Sequence, residues 1–339
     1  MPTSLLDMTT LAERDRIRIR AAFLSIAVGA AICLAKFAGY LVTGSFAILS
    51  DALESIINVA AACFVAYSVL QGTRKADGTH PYGWGRLEYF SAGLEGSLIL
   101  LAGAWILYES VPRLISGNHV AQVDLGLLLV GGGTAANALL SIYLKRTGKK
   151  YHSMALTADA AHIMTDVFSS VGIFIGLVLV AITRLAWLDP LLAILMGLWI
   201  LFSGLLLLRQ SYFQLMDRAS PQVTAEVLAG LNASRRPEMI RPHKLRLREA
   251  GQSVHVDFHM IVPRYLTVRQ LHTLEREIHE TMNQNMDRPV DLMLHSDPCA
   301  PTDCDICSMP DCPVRAKEQA QRLEWDQALL IADFHHPSR

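Results

Sequence analysis

Long apolar stretches at 21–43, 46–69, 89–111, 123–144, 154–182 and 190–208 constrain this chain more than any other feature. The hydrocarbon core of a bilayer is ~30 Å thick and takes about 20 helical residues to cross. A chain in lipid must also satisfy its backbone N–H and C=O groups internally, which a helix does within each span. The sequence therefore predicts an all-α, six-helix transmembrane domain. Its composition agrees, because 52% of the residues are hydrophobic and only 18% charged, where soluble domains carry about a quarter charged residues. After about Arg218 the charge density returns to that of a soluble domain. The expected organisation is an N-terminal segment 1–20, a six-helix transmembrane domain 21–212, a small α+β domain 213–298 and a Cys-rich tail 299–339.

Charge placement predicts the orientation. Arg14, Arg16, Arg18 and Arg20 precede the first span, Arg74, Lys75 and Arg86 lie between the second and third, and Lys145, Arg146, Lys149 and Lys150 lie between the fourth and fifth. Arg209 and Arg218 follow the sixth, and the opposite loops hold only Arg113 and Arg184. The positive-inside rule puts both termini in the cytoplasm, consistent with a multi-pass protein of the cell (inner) membrane. The first apolar run lacks the short core and small-residue cleavage site of a signal peptide and reads as a retained helix. A net charge of −1 gives no basic footprint for nucleic acid.

Ionisable groups inside the second and fifth spans point to function. Asp51, Glu54 and Asn58 repeat the spacing of Asp159, His162 and Asp166. Offsets of three, four and seven residues put each trio on one helical face. The two spans run in opposite directions, as in transporters built from inverted repeats with a midplane site. A charge on a lipid-facing helix costs at least ~2.5 kcal/mol at the bilayer centre, so such groups face a partner, water or an ion. Imidazole, two carboxylates and an amide oxygen make a four-ligand site suited to Zn²⁺ and equally to Fe²⁺, Co²⁺, Ni²⁺ or Mn²⁺. Calcium and magnesium prefer all-oxygen shells. Asp51 and Asp159 either ligate, line a vestibule or cap a helix start.

Four motifs carry a family resemblance: T-G-S-x-A-I-L-S-D-A at 43–52, H-P-Y-G-W-G-R-L-E at 80–88, A-D-A-A-H-I-M-T-D at 158–166 and L-D-P at 188–190. Together they resemble the cation diffusion facilitator family over nearly the whole chain. The resemblance implies metal efflux in exchange for protons, a homodimer, and transport ligands at Glu54, Asn58, His162 and Asp166. The first pair departs from the zinc-exporting pattern, which usually has Asp or His at the position of Glu54 and Asp at that of Asn58. A loop site after the second helix is matched by Asp77 and His80, while Trp84 stands in place of a histidine; the alternative is a solvated turn.

Beyond Ser220 the pattern predicts a helix, strands at 244–249 and 254–262, a helix at 268–282 and a strand at 290–295. In the second strand Val254, Val256, Phe258, Met260 and Val262 alternate with His255, Asp257, His259 and Ile261. The family's cytosolic domain is ferredoxin-like and dimerises, and its metal positions match His243, His259, His272, His295 and Asp297. Metal bound there would regulate transport by biasing two conformations. Cys299, Cys304, Cys307 and Cys312 follow with C-x4-C-x2-C-x4-C spacing. In a reducing cytosol such thiols bind zinc or an iron–sulfur cluster, or remain free. His335 and His336 belong to the terminal tail.

Two other functions fit the sequence less well. A membrane-bound metal sensor without transport would need an effector domain, and none is recognisable. A hydrolase would need a motif such as H-E-x-x-H, which is absent, and His279–Glu280 lies in a polar setting. The expected function is a non-enzymatic divalent-cation carrier whose ligands are metal ions and protons.

Overall fold

The computed structural model describes residues 5–43, 46–116, 126–183, 185 and 187–332. It divides into two units, Met1–Leu215 and Met216–Arg339. The first unit consists of α1 (Leu5–Thr43), α2 (Phe46–Gly72), α3 (Leu87–Ser116), α4 (Gly126–Lys150), α5 (Met154–Thr183) and α6 (Leu188–Leu215). Each apolar stretch lies on one of these helices, with 123–125 outside the described residues. Among the described residues, segments of α1, α2, α3 and α6 are long and apolar enough to cross a bilayer. A polar trio interrupts the apolar run of α5, and four basic residues close α4.

Small residues let α3 and α6 approach closely. A Cβ on Gly96 would sit 2.9 Å from the backbone nitrogen of Leu208, and one on Gly103 would sit 2.9 Å from that of Leu201. Glycine therefore permits backbone-to-backbone contact, the usual means of packing helices where lipid removes the hydrophobic drive. The other helices close around Ala21, Ala22, Val65, Val69, Leu144 and Leu156. Arg18, one of the four arginines before the first apolar stretch, is fully buried. Its guanidinium donates to Glu88 of α3, and the other oxygen of Glu88 accepts from Ser153 Oγ at 2.5 Å, just before α5. One buried ion pair thus ties α1, α3 and the start of α5 together.

The second unit contains α7 (Pro221–Ala233), β1 (Arg241–Ala250), β2 (Ser253–Val262), α8 (Val268–Asn285), β3 (Val290–Pro298) and a short α9 (Gln327–Ile331). Ser220 caps α7 with proline at its first turn, where the missing N–H costs nothing. A Thr267–Gln270 capping box starts α8. Gly251, with φ of +62°, allows the tight turn between β1 and β2. The sheet order is β1-β2-β3, antiparallel then parallel, with α8 as the crossover. The alternation expected for β2 is observed: Val254, Val256, Phe258, Met260 and Val262 are buried against the helices. Ile261, on the opposite face, is buried too, because residues around Ile306 and Cys307 fold over that end of the sheet.

Candidate metal centres

In the helical unit α2 and α5 bring Asn58, His162 and Asp166 together. Asn58 Nδ2 donates to Asp166 Oδ2 at 2.9 Å, and Asn58 Oδ1 stands 3.1 Å from His162 Nε2. The side chains thereby satisfy one another in a setting where an unpaired polar group is costly. Glu54 lies one turn earlier on α2, on a more exposed stretch. Asp159, one turn before His162, is buried and accepts from Ser25 Oγ of α1 at 2.7 Å. That contact links two helices. The side chain of Asp51 lies outside the described residues.

Sequence reasoning missed one residue. Glu95 of α3 is 1% exposed, and its Oε2 lies 3.4 Å from His162 Nδ1. Among the described residues neither atom has a hydrogen-bond partner, so the two buried polar atoms face each other alone. The signal was present, since Glu95 falls inside the apolar stretch 89–111 and a carboxylate there calls for the same explanation as Glu54.

The loop between α2 and α3 uses its polar groups locally. Asp77 Oδ1 accepts from the backbone N–H groups of Thr79 and His80, each at 2.8 Å, and Oδ2 accepts from Trp84 Nε1 at 3.2 Å. The hydroxyl of Thr79 leads the set of donors that hold the Asp77 carboxyl well below the usual carboxylate range. The His80 ring stacks on Trp84 at 3.5 Å. Asp77 and His80 thus hold the turn in this arrangement.

In the second unit, strand register does the assembling. His243 of β1 pairs with His259 of β2, which pairs with His295 of β3, so three imidazoles form one row across the sheet. Asp297, two residues further along β3, shares that face. Its Oδ2 lies 3.0 Å from His259 Nδ1 and 3.4 Å from His243 Nε2, and its Oδ1 lies 3.4 Å from His295 Nε2. One ligand atom each from His243, His259 and Asp297 falls within 4.8 Å of the others, the one such trio among the described residues. A bulge after His243, with Lys244 at φ +52°, turns the strand at this point, as bulges near sites commonly do. Burial holds the His243 imidazole below its ordinary range, with Asp297 opposing. His272 stands apart on α8, its side chain 77% exposed and 3.8 Å from Glu275.

The four tail cysteines are reduced and line one small cavity. Burial pushes the thiols of Cys299 and Cys307 above their ordinary range. His335 and His336 lie outside the described residues.

Comparison with known proteins agrees with both units. Residues 22–216 match the cation efflux transmembrane domain, and residues 221–299 match the cytoplasmic domain of cation efflux proteins. An uncharacterized transporter of Synechocystis sp., sll1263, is 38% identical over 253 residues, covering 75% of this chain and 82% of its own. The cation-efflux pump FieF of Cronobacter sakazakii is 24% identical over 293 residues, covering 85% of this chain and 95% of its own. FieF of Salmonella typhimurium is 25% identical over 287 residues, covering 84% and 94%.

Proposed function

The chain belongs to the cation diffusion facilitator, or cation efflux, family of membrane transporters, and on that premise we propose that it exports a divalent first-row transition-metal ion in exchange for protons. The observation that carries this reading is the meeting of Asn58, His162 and Asp166 between two membrane helices. Glu54 completes the ligand set from the preceding turn of α2. The ion is Zn²⁺ or one of Fe²⁺, Co²⁺, Ni²⁺ and Mn²⁺, since nitrogen and oxygen donors serve all of them.

In the alternating-access cycle, metal enters from the cytosol and displaces the contacts of Asn58 with its two partners. The bound ion takes Nε2 of His162, so the proton must sit on Nδ1, facing Glu95. A carboxylate behind a ligating histidine fixes its tautomer and ring orientation, and this is the role assigned to Glu95. Protons arriving from the far side compete for the same ligands and release the metal. Both termini lie in the cytosol, as the distribution of Lys and Arg indicates.

The cytosolic unit adds control. We infer that His243, His259, His295 and Asp297 bind regulatory metal in a homodimer, with the exposed His272 available across the subunit boundary. Asp77 and His80 hold the loop between α2 and α3. Purified protein in sealed liposomes, offered a panel of divalent ions under an imposed pH gradient, tests the reading. Flux separates a carrier from a sensor that only binds.

A further inference from the structure

The Cys-rich segment after β3 has little regular structure, yet it closes part of the fold. After the 3-10 turn Pro301–Asp305, residues 306–326 form turns and irregular loops. The chain then places Trp325 and Leu330 in the core beneath the sheet. Arg235 anchors that far end, its guanidinium lying over the Trp325 ring at 4.5 Å and donating to the Leu323 carbonyl at 2.6 Å. The near end has four thiols instead.

Those thiols converge. Cys299 continues from β3, its N–H donating to the Val262 carbonyl at 2.8 Å. The 3-10 turn, in which Asp303 accepts from the Ala300 N–H at 2.7 Å, carries Cys304 back toward it. Cys307 and Cys312 complete the lining of one cavity of about 10 Å³. The backbone N–H of Ala316 donates to Cys304 Sγ at 3.4 Å, the kind of outer contact that tunes and orients a metal-bound sulfur. Ordinary buried cysteines pack as small hydrophobes, which accounts for Cys307 against Ile261 but not for four on one wall.

We propose that Cys299, Cys304, Cys307 and Cys312 bind one tetrahedral divalent ion of the zinc class, which fastens the near end of the tail to the sheet. A cavity near the size of one water-sized sphere holds an ion, whereas an iron–sulfur cluster needs far more room. Zn–S bonds of ~2.3 Å put sulfurs about 3.8 Å apart. No three of the four sulfurs lie within 4.8 Å of one another among the described residues, so binding draws the loop inward. The ion supplies a cross-link where the segment has little core of its own. This site is separate from the transport ligands and stands whether or not the transport reading holds.

The test uses the full chain in detergent, reduced, stripped with chelator and titrated with Co²⁺ and then Zn²⁺. One sulfur-to-cobalt charge-transfer chromophore per chain is expected, lost on zinc addition. It should be absent from C304S/C307S and present in H243A/H259A, whose remaining ligands are intact. Absence of the chromophore in the unaltered chain, or its survival in C304S/C307S, overturns the proposal. Iron with acid-labile sulfide in the protein as isolated overturns the single-ion form. Because C304S/C307S can misfold, the unaltered chain supplies a second measurement. Zinc should shield Cys299, Cys304, Cys307 and Cys312 from alkylation and slow tryptic cleavage after Arg315 and Lys317. Equal labelling and cleavage with and without zinc count against the site.

Discussion

Glu95 of α3 and His162 of α5 face each other across 3.4 Å, carboxylate oxygen to Nδ1, while the far ring nitrogen of His162 meets Asn58 of α2 at 3.1 Å. The imidazole is thus held from behind on the side away from Asp166's hydrogen bond with Asn58. If Glu95 orients it, Glu95→Ala should weaken apparent metal affinity by about 10–100-fold. Glu95→Gln should recover part of the loss through its amide oxygen. Metal titration and the concentration dependence of transport check this, and a merely structural role would lower thermal stability without moving affinity.

The ligand assignment makes a sharper demand. His162→Ala and Asp166→Ala should each abolish transport while leaving insertion and folding intact, and Glu54→Ala should behave similarly, because each removes a donor from a four-ligand site. Asn58→Asp should stay active and shift the ion preference toward zinc, since it replaces an amide by a charged oxygen. Rates across an ion panel read both outcomes.

Removing Glu88 takes away the buried carboxylate facing Arg18 and leaves the guanidinium to the less buried Asp15, 3.2 Å away. Glu88→Ala should destabilise the helical unit by about 3–5 kcal/mol, read as a fall in Tm of the detergent-solubilised protein. Glu88→Gln keeps one acceptor oxygen for Arg18 and turns an amide N–H toward the Ser153 hydroxyl, and should cost less.

Gly103→Ala places a methyl group 2.9 Å from the Leu201 backbone nitrogen. The neighbour is backbone and cannot rotate away, so α3 and α6 must separate. A loss of about 1–3 kcal/mol is expected, the usual range for overpacking. The same thermal measurement reads it.

Much of this is legible in the sequence alone. Span length fixes the helices because lipid allows few alternatives, and the period-2 pattern of β2 selects its buried face. What escaped depends on pairing. Glu95 lies on a third helix, and nothing in the α2 and α5 spacing points to it. Arg18 resembles its neighbours Arg14, Arg16 and Arg20 in sequence, and only packing against Glu88 sets it apart. The histidine row was visible as residues but not as a row, since register across three strands decides that His243, His259 and His295 align.

Metal–proton exchange at His162 is the central claim, and flux in oriented vesicles tests it most directly. With the cytosolic face outward, metal uptake should quicken when the lumen is more acidic than the bath, because protons on the release side compete with metal for His162, Glu54 and Asp166. Proton efflux from the lumen should accompany it, and His162→Ala should abolish both movements. Uphill accumulation at equal rates after the pH gradient is collapsed would contradict proton exchange.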